Sequence, residues 1–229
     1  MSNYIKAIFK SRHNRFIAEV EIDGNLEIAH VPNTGRCKEL LIEGTTVYLL
    51  PSDNPKRKTK YSLHFVENNG VLVSIYSQQA NEIVYNGILN GKVKELLNYP
   101  IVEREKKVGN SRIDLYLSNK NEDCYLEVKG VTLVSNNLAI FPDAPTERGR
   151  KHLEKLIELK KEGHRAIVFF LIQHPNGKKF KPNWKTDPDF SKALSRASSS
   201  GVEILVYKSK NTLDKVEIIE KSLEFDLKR

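Results

Sequence analysis

The chain has 229 residues, of which 39% are hydrophobic, and it carries a formal net charge of +8 with a pI near 9.3. No apolar run approaches the length that a membrane-spanning helix needs, and the first residues, MSNYIKAIFKSRHNRF, lack the apolar stretch and cleavage site of a signal peptide. Cys37 and Cys124 form neither a disulfide framework nor a zinc-binding pattern. We therefore expect a reduced, cytoplasmic protein without membrane contact and without structural zinc.

The positive charge is concentrated in the second part of the chain. Residues 1–82 hold 10 Lys and Arg against 9 Asp and Glu, whereas residues 83–229 hold 27 against 20. A basic surface attracts polyanions over long range, so a nucleic acid is expected to contact mainly residues 83–229. Many soluble proteins are equally basic, so charge alone does not establish this partner. The oligomeric state is left open.

The first third of the chain predicts a small β-barrel. Strand-forming residues predict short strands over residues 4–9, 16–22, 26–30, 45–50, 61–67 and 71–76. Asp23-Gly24 and Asn69-Gly70 favour tight hairpin turns because glycine accepts a positive φ. Residues 38–42 predict one short helical turn. The pattern fits an OB-fold, although periodicity alone does not separate this fold from an SH3-like barrel.

The remainder of the chain alternates between predicted helices and strands. Asn81 is expected to cap a helix that starts at Glu82, and Thr146 is expected to cap a helix over residues 147–162. Two further helical segments are predicted over residues 92–98 and 189–200. Strands are predicted over residues 101–107, on both sides of a polar turn at residues 118–123, and over residues 166–172 and 202–207. This order predicts a mixed sheet flanked by helices.

The two runs around that polar turn carry a group of charged residues. The first run reads SRIDLYL and contains Asp114; the second reads CYLEVKG and contains Glu127 and Lys129. Side chains alternate between the faces of a strand, so Glu127 and Lys129 point the same way while Val128 points into a core. Neighbouring strands lie about 4.8 Å apart, which allows Asp114 to stand beside Glu127. Such a patch suits Mg²⁺, and a solvated strand face with a Glu–Lys ion pair is the alternative.

An acid on one strand followed by Glu-x-Lys on the next resembles the PD-(D/E)xK nuclease signature. Longer stretches resemble the sugar fermentation stimulation protein family, SfsA, namely HVPNTGR at 30–36, SRID at 111–114, CYLEVKGVTL at 124–133, FPDAPTERGRKHL at 141–153 and GVEILVYK at 201–208. This resemblance covers almost the whole chain. It implies an α/β (α+β) protein, with an N-terminal OB-like β-barrel over residues 1–82 and a PD-(D/E)xK restriction-endonuclease-like mixed-sheet domain over residues 83–229.

The resemblance implies a metal-dependent nuclease that hydrolyses phosphodiester bonds in DNA or RNA. Asp114, Glu127 and the main-chain carbonyl of Val128 would bind Mg²⁺ or Mn²⁺. Lys129 would position the attacking water and stabilise the developing negative charge. The alternative is a non-catalytic DNA-binding regulator of sugar-metabolism genes that keeps the fold. A third class, a basic scaffold that binds another protein, has no supporting motif.

Four residues of the HVPNTGR turn, His30, Asn33, Thr34 and Arg36, are candidate donors to a nucleic-acid backbone. The alternative is a structural turn in which Asn and Thr satisfy nearby backbone groups.

The motif FPDAPTERGRKHL enters a predicted helix, and helix N-termini favour anions. Arg148, Arg150 and His152 would add donors for phosphate, and Arg112 in the SRID motif is a further candidate. Asp143 is a candidate metal-associated acid. An ordinary capped loop is the alternative for this motif.

Three further acids, Glu95, Glu103 and Glu105, are candidate metal ligands, with surface charge as the alternative reading. Other candidates for nucleic-acid contact are the basic loop at residues 55–60 and the aromatic rings of Phe180 and Trp184. A solvated loop and a ring that fills a surface groove are the corresponding alternatives.

Overall fold

The first six strands form a closed barrel in the computed structural model, which describes residues 3–33, 35–109 and 111–229. The sheet order is β3-β2-β1-β4-β5-β6. Parallel pairing of His30 with Ser62 joins β3 to β5, so five strands close on themselves and β6 extends the sheet. The barrel is confirmed. Its strands are β1 (Ile5–Asn14), β2 (Ile17–Ile22), β3 (Asn25–His30), β4 (Thr46–Pro51), β5 (Tyr61–Asn68) and β6 (Val71–Ser74).

Two of the barrel turns form as the dipeptides predict. Asp23 and Gly24 have φ values of 48° and 81°, and Asn69 and Gly70 have values of 48° and 74°. Positive φ at both central residues is the requirement of the tight hairpin turn whose twist matches the flanking strands. The helical turn expected at residues 38–42 is a hydrogen-bonded turn, in which the carbonyl of Cys37 accepts from two backbone N–H groups.

The rest of the chain builds a six-stranded mixed sheet with helices on both faces, which confirms the predicted fold class. Its order is β15-β14-β12-β9-β8-β7, with β12 parallel to both β9 and β14. One face packs against α1, and the other packs against α2 and α3. The elements are α1 (Gln79–Leu89), β7 (Ile101–Val108), β8 (Ser111–Ser118), β9 (Asp123–Val131), β10 (Val134–Ser135), β11 (Leu138–Phe141), α2 (Glu147–Lys161), β12 (Arg165–Ile172), β13 (Lys179–Pro182), α3 (Pro188–Ser199), β14 (Glu203–Asn211), β15 (Val216–Ile218) and β16 (Glu224–Phe225).

Two predicted helical segments differ from the structure. Helix α1 begins at Gln79, so Asn81 lies in its first turn and is not its N-cap. The segment predicted over residues 92–98 contains only a 3₁₀ turn at Lys94–Leu96. The predicted domain boundary between residues 82 and 83 falls within α1 and stays a prediction. No helix in the described part of the chain is long and apolar enough to cross a membrane.

A small sheet also forms from short strands that the sequence analysis does not predict. Strands β10, β11, β13 and β16 pair in this order. Their partners lie far apart in the sequence, since Leu138 pairs with Lys179, which in turn pairs with Glu224. Strands this short carry little periodicity, so their pairing could not be read from local pattern.

The barrel is tied to the mixed sheet by hydrogen bonds at the end of β6. The backbone N–H of Ser74 donates to the carbonyl of Gln173, and the amide of Gln173 donates to the Ser74 hydroxyl at 3.1 Å. The amide of Asn211 donates to the carbonyls of Leu72 and Gln173, both at 2.8 Å. These bonds set the barrel beside the end of β12, next to the strand that carries Glu127.

One buried carboxylate holds the starts of two helices. Asp187 is 4% exposed and caps α3 by accepting from the N–H of Phe190 at 2.9 Å. Its other oxygen accepts from the N–H of Thr146 at 2.8 Å. Thr146 in turn caps α2, as predicted, by accepting from the N–H of Gly149. Asp187 therefore fixes the position at which α2 enters the structure.

We expect Asp187→Ala to lower the free energy of unfolding by about 3 kcal/mol, because two N–H groups lose a charged acceptor. Asp189→Ala is the matched control, since this carboxylate is 62% exposed and pairs only with surface cations. Its loss should stay below about 1 kcal/mol. Denaturant unfolding followed by circular dichroism measures both variants. Equal losses in the two variants would contradict this account of Asp187.

Candidate active site

The hairpin of β8 and β9 sets the acidic residues side by side. Leu115 pairs with Leu126, so the same antiparallel register places Asp114 opposite Glu127. Both leucines are fully buried against α1. Because side chains alternate along a strand, the two acids project from the opposite face.

The carboxylate of Asp114 takes the place of a strand partner. Its Oδ2 accepts from the backbone N–H of Val128 at 2.8 Å, and its Oδ1 accepts from the amide of Asn81 at 2.8 Å. The regular pairing of β8 with β9 ends at Leu115, one residue short of this contact. Asn81 therefore holds Asp114 in place, a role that the expectation of a helix cap had missed.

Glu127 is 2% exposed, and its two carboxylate oxygens have different surroundings. Oε1 accepts from Nζ of Lys129 at 2.7 Å and also contacts Nδ1 of His152. Oε2 is buried and has no hydrogen-bond partner. A buried charged oxygen without a partner costs several kcal/mol unless a ligand meets it, so this atom is a candidate binding position.

The two acids have pKa values shifted in opposite directions. Burial, and then the charge of Glu127, raise the pKa of Asp114 to about 6. Burial also acts to raise the pKa of Glu127, but the charge of Lys129 and the hydrogen bond from His152 outweigh it and bring this pKa to about 2. Glu127 is thus ionised throughout the physiological range, whereas Asp114 exchanges a proton close to it. Neighbouring carboxylates that differ in this way are common in sites of chemistry.

Helix α2 contributes two basic side chains to the site, Arg148 and His152. Nε of Arg148 donates to Nε2 of His152 at 3.2 Å. A neutral imidazole that accepts at Nε2 carries its proton at Nδ1, so His152 donates from Nδ1 to Glu127. Arg148 is exposed at the helix start, where the unpaired N–H groups add further positive potential.

The barrel contributes the opposite wall through the turn that holds residues 31–33 and 35–37. Asn33 donates from its amide to the carbonyl of Ile75 at 2.8 Å and accepts from the N–H of Gly35. Asp143 accepts from the N–H groups of Arg36 and Cys37, at 2.7 and 3.1 Å. A Cβ added at Gly35 would lie 2.5 Å from the Asp143 carboxylate, so a side chain here would have to displace that carboxylate.

All these groups surround one cavity of about 330 Å³ at the junction of the barrel and the mixed sheet. Asn33, Gly35, Asn81, Asp114, Glu127, Val128, Lys129, Asp143, Arg148 and His152 are among the residues that line it. Sequence reasoning proposed most of them as site residues. Asn81 was missed because its partner is 33 positions away in the chain. Asp143 accepts hydrogen bonds from two backbone N–H groups of the barrel turn.

Several other candidates lie away from this cavity. His30 lines a neighbouring cavity on the barrel. Arg36 is exposed on the outer side of the turn. Arg112 pairs with Glu105, and Arg150 pairs with Asp189. Thr34 lies outside the described residues.

The remaining acids and aromatic residues also have other partners. Glu95 accepts from the hydroxyl of Tyr207 at 2.5 Å, and Glu103 pairs with Lys106 at 2.7 Å. Phe180 is fully buried, and the indole N–H of Trp184 donates to the carbonyl of Leu227. Glu95, Glu103 and Glu105 are not among the residues that line the cavity, and their role as ligands stays a prediction. The two rings have packing partners within the protein.

The fold defines an α/β protein in which a closed barrel is joined to a mixed sheet. Two acids, a lysine and a histidine line the cavity between them. Two family comparisons identify the protein further. Residues 11–75 match the SfsA N-terminal OB domain, and residues 78–215 match the Sugar fermentation stimulation protein RE domain. The chain belongs to the sugar fermentation stimulation protein family.

Individual relatives agree with this assignment. A sugar fermentation stimulation protein homolog of Methanobrevibacter smithii is 62% identical, and the match covers 99% of each chain. A homolog of the same description in Caldanaerobacter subterraneus is 50% identical over 89% of each chain. A solved structure described as Pyrococcus furiosus SfsA in complex with Ca²⁺ is 31% identical, covers 99% of both chains and superimposes with a TM-score of 0.89.

We expect Lys129→Met to lower the free energy of unfolding by about 3 kcal/mol near neutral pH, because it leaves the buried Glu127 carboxylate without its cation. Adding Glu127→Gln to this variant should restore much of the loss, since the unpaired charge is then gone. Lys151→Met is the control, as Lys151 pairs with Glu147 at the surface, where its side chain is 73% exposed. Denaturant unfolding of the four proteins forms the test, and a double variant less stable than Lys129→Met would refute it.

Proposed function

We propose that this protein is a Mg²⁺-dependent nuclease that hydrolyses phosphodiester bonds in DNA or RNA. The observation that carries the proposal is the unpartnered, buried Oε2 of Glu127 in the cavity that Asp114 and Lys129 also line. An ionised oxygen facing a polar cavity, beside a second carboxylate, is a position for a hard cation.

The donor set fits such a cation. Asp114, Glu127 and the carbonyl of Val128 offer oxygen ligands, which Mg²⁺ and Mn²⁺ prefer, and Mg²⁺ commonly keeps several waters in addition to one or two carboxylates. Within the described residues no group of three His, Cys, Asp or Glu side chains is arranged to hold a metal, so water and phosphate oxygens would complete the shell. The similar P. furiosus protein, described in complex with Ca²⁺, supports a divalent cation. When bound, the cation would supply charge neutralisation at the phosphate and a water of lowered pKa.

Lys129 has the position of a group that acts on the attacking water and on developing charge. Its Nζ lies beside Glu127, and its side chain is only 14% exposed, so the ammonium is held close to the cavity. An ammonium fixed in a partly dry site stabilises negative charge that forms on a phosphoryl oxygen more strongly than one in water. Its bond to Glu127 also orients the ammonium.

Arg148 and His152 would hold the nucleic-acid phosphate on the other side of the cavity. Both lie on the first turns of α2, and Arg148 is exposed while its Nε is oriented by His152. A guanidinium at a helix N-terminus is well suited to phosphate, because it adds fork-shaped donors to the positive end of the helix. Asn33 of the barrel supplies a polar group from the opposite wall.

The first test is cleavage of labelled single- and double-stranded DNA and RNA. Wild type should cleave with Mg²⁺ or Mn²⁺ and not with EDTA. Asp114→Asn, Glu127→Gln and Lys129→Ala should each reduce the rate about 10²-fold or more while nucleic-acid binding in EDTA persists. Glu147→Gln and Lys151→Ala neutralise a comparable acid–lysine pair outside the cavity and should cleave like wild type.

Two results would contradict the proposal that the protein is a nuclease. Undiminished cleavage by Glu127→Gln would locate the activity elsewhere or in a contaminant. Binding without cleavage by every preparation, with an affinity that is insensitive to metal, would instead favour a DNA-binding regulator of sugar-metabolism genes.

The second test measures the metal without any nucleic acid. Calorimetric titration with Ca²⁺ alone should show one site in wild type, and Glu127→Gln should weaken it tenfold or more because a charged ligand is lost. Lys129→Ala should bind Ca²⁺ at least as tightly as wild type, since the lysine competes with the cation for Glu127. Equal affinity in wild type and Glu127→Gln would remove this site from consideration.

A further inference from the structure

A second cavity, of about 280 Å³, opens on the barrel beside the candidate active site. His30, Arg57, Ser62, His64 and Tyr76 line most of it. Gln78 lines both cavities, so the two are adjacent. The chain segments between them are joined, because the backbone N–H and the hydroxyl of Ser77 both donate to the carbonyl of Pro32.

One wall of this barrel cavity is aromatic. The rings of His64 and Tyr76 lie 4.3 Å apart between centroids with an angle of 32°. His64 is buried and is held by the hydroxyl of Tyr4 at 2.9 Å, and burial lowers its pKa to about 4, so a neutral ring packs against Tyr76. His30 extends the wall and is stacked on Phe16, which is 47% exposed.

The other wall is cationic and comes from the loop that joins β4 to β5. Nη2 of Arg57 donates to the Ser62 hydroxyl at 2.8 Å and to the Thr59 hydroxyl at 3.4 Å. These bonds hold the guanidinium at the cavity mouth, with Lys58 beside it. No Asp or Glu is found among the described residues that line the cavity. The basic loop at residues 55–60 is therefore only partly solvated, because its Arg57 is folded onto the barrel.

A fixed guanidinium next to flat rings fits one chemical class, a planar base with a phosphate attached. Bases that stack on aromatic side chains must be unpaired, since a duplex hides their faces. At about 280 Å³ the cavity is near the lower end of the usual range for small-ligand pockets, which suits a single nucleotide and not a duplex.

We propose that the barrel cavity binds one unpaired nucleotide of the strand that enters the active site, with its base on Tyr76 and His30 and its phosphate on Arg57. The inference rests on the proposed function in one respect, namely that nucleic acid occupies the neighbouring cavity. It adds a substrate class: nucleic acid with a single-stranded segment next to the position of cleavage.

The test compares Arg57→Gln with Lys56→Gln, a matched loss of charge on an exposed neighbour that does not line the cavity. Affinities for a single-stranded oligonucleotide and for a blunt-ended duplex of equal length are measured by fluorescence anisotropy in EDTA, so that cleavage plays no part. Arg57→Gln should weaken single-strand binding about tenfold, equivalent to ~1.4 kcal/mol. It should weaken duplex binding no more than Lys56→Gln does.

A second variant tests the aromatic wall. Tyr76→Leu keeps an apolar side chain but removes the ring, and it should also weaken single-strand binding about tenfold. Thermal unfolding establishes that each variant is folded, and Arg57→Lys, which keeps the charge, should recover part of the affinity.

The outcomes separate this inference from the proposed nuclease. Equal effects of Arg57→Gln and Lys56→Gln on both ligands would overturn the nucleotide site, even if cleavage is observed. Preferential loss of single-strand binding in a protein that never cleaves would support the site and overturn only the nuclease. A wild-type protein that binds neither ligand would overturn both.

Discussion

The arrangement of the residues around Glu127 depends on the burial of its carboxylate. A buried anion is tolerated only where cations and donors meet it, and here they come from Lys129 on the same strand and from His152 on α2. The second of these contacts requires α2 to begin at a defined place, which the capping of Thr146 and the shared carboxylate of Asp187 provide. The electrostatics of one side chain are therefore linked to the packing of two helices.

Asp114 shows how the sheet itself is adapted to the site. Its carboxylate binds the N–H of Val128 at the point where regular pairing between β8 and β9 ends. The backbone N–H of Val128 is thereby bound within the site. The side chain of Glu127, the residue before it, faces the cavity. Asn81 of α1 supports the carboxylate of Asp114. The site is thus assembled from two neighbouring strands, two helices and a turn of the barrel.

Much of this could be predicted from local pattern, and the rest could not for physical reasons. Alternation along two strands groups Asp114, Glu127 and Lys129 because the period of two is a property of the backbone, independent of the rest of the fold. Contacts between residues far apart in the chain produce no such periodic pattern in the sequence. Glu95 lies 112 positions from its partner Tyr207, and no periodicity relates Asp143 to the barrel. Asn81 has the side chain of a helix cap, but the packing of α1 extends that helix by a turn and gives Asn81 another partner.

The contact between Asp143 and the barrel turn has a consequence for the history of the protein. Asp143 follows β11, yet it satisfies two backbone groups of a turn about a hundred residues earlier, and a side chain at Gly35 would have to displace it. Exchange for another barrel would therefore break these bonds unless the new barrel offered N–H groups at the same place. Position 143 and the turn are expected to be inherited as one unit, so that the two domains diverge together and do not recombine freely.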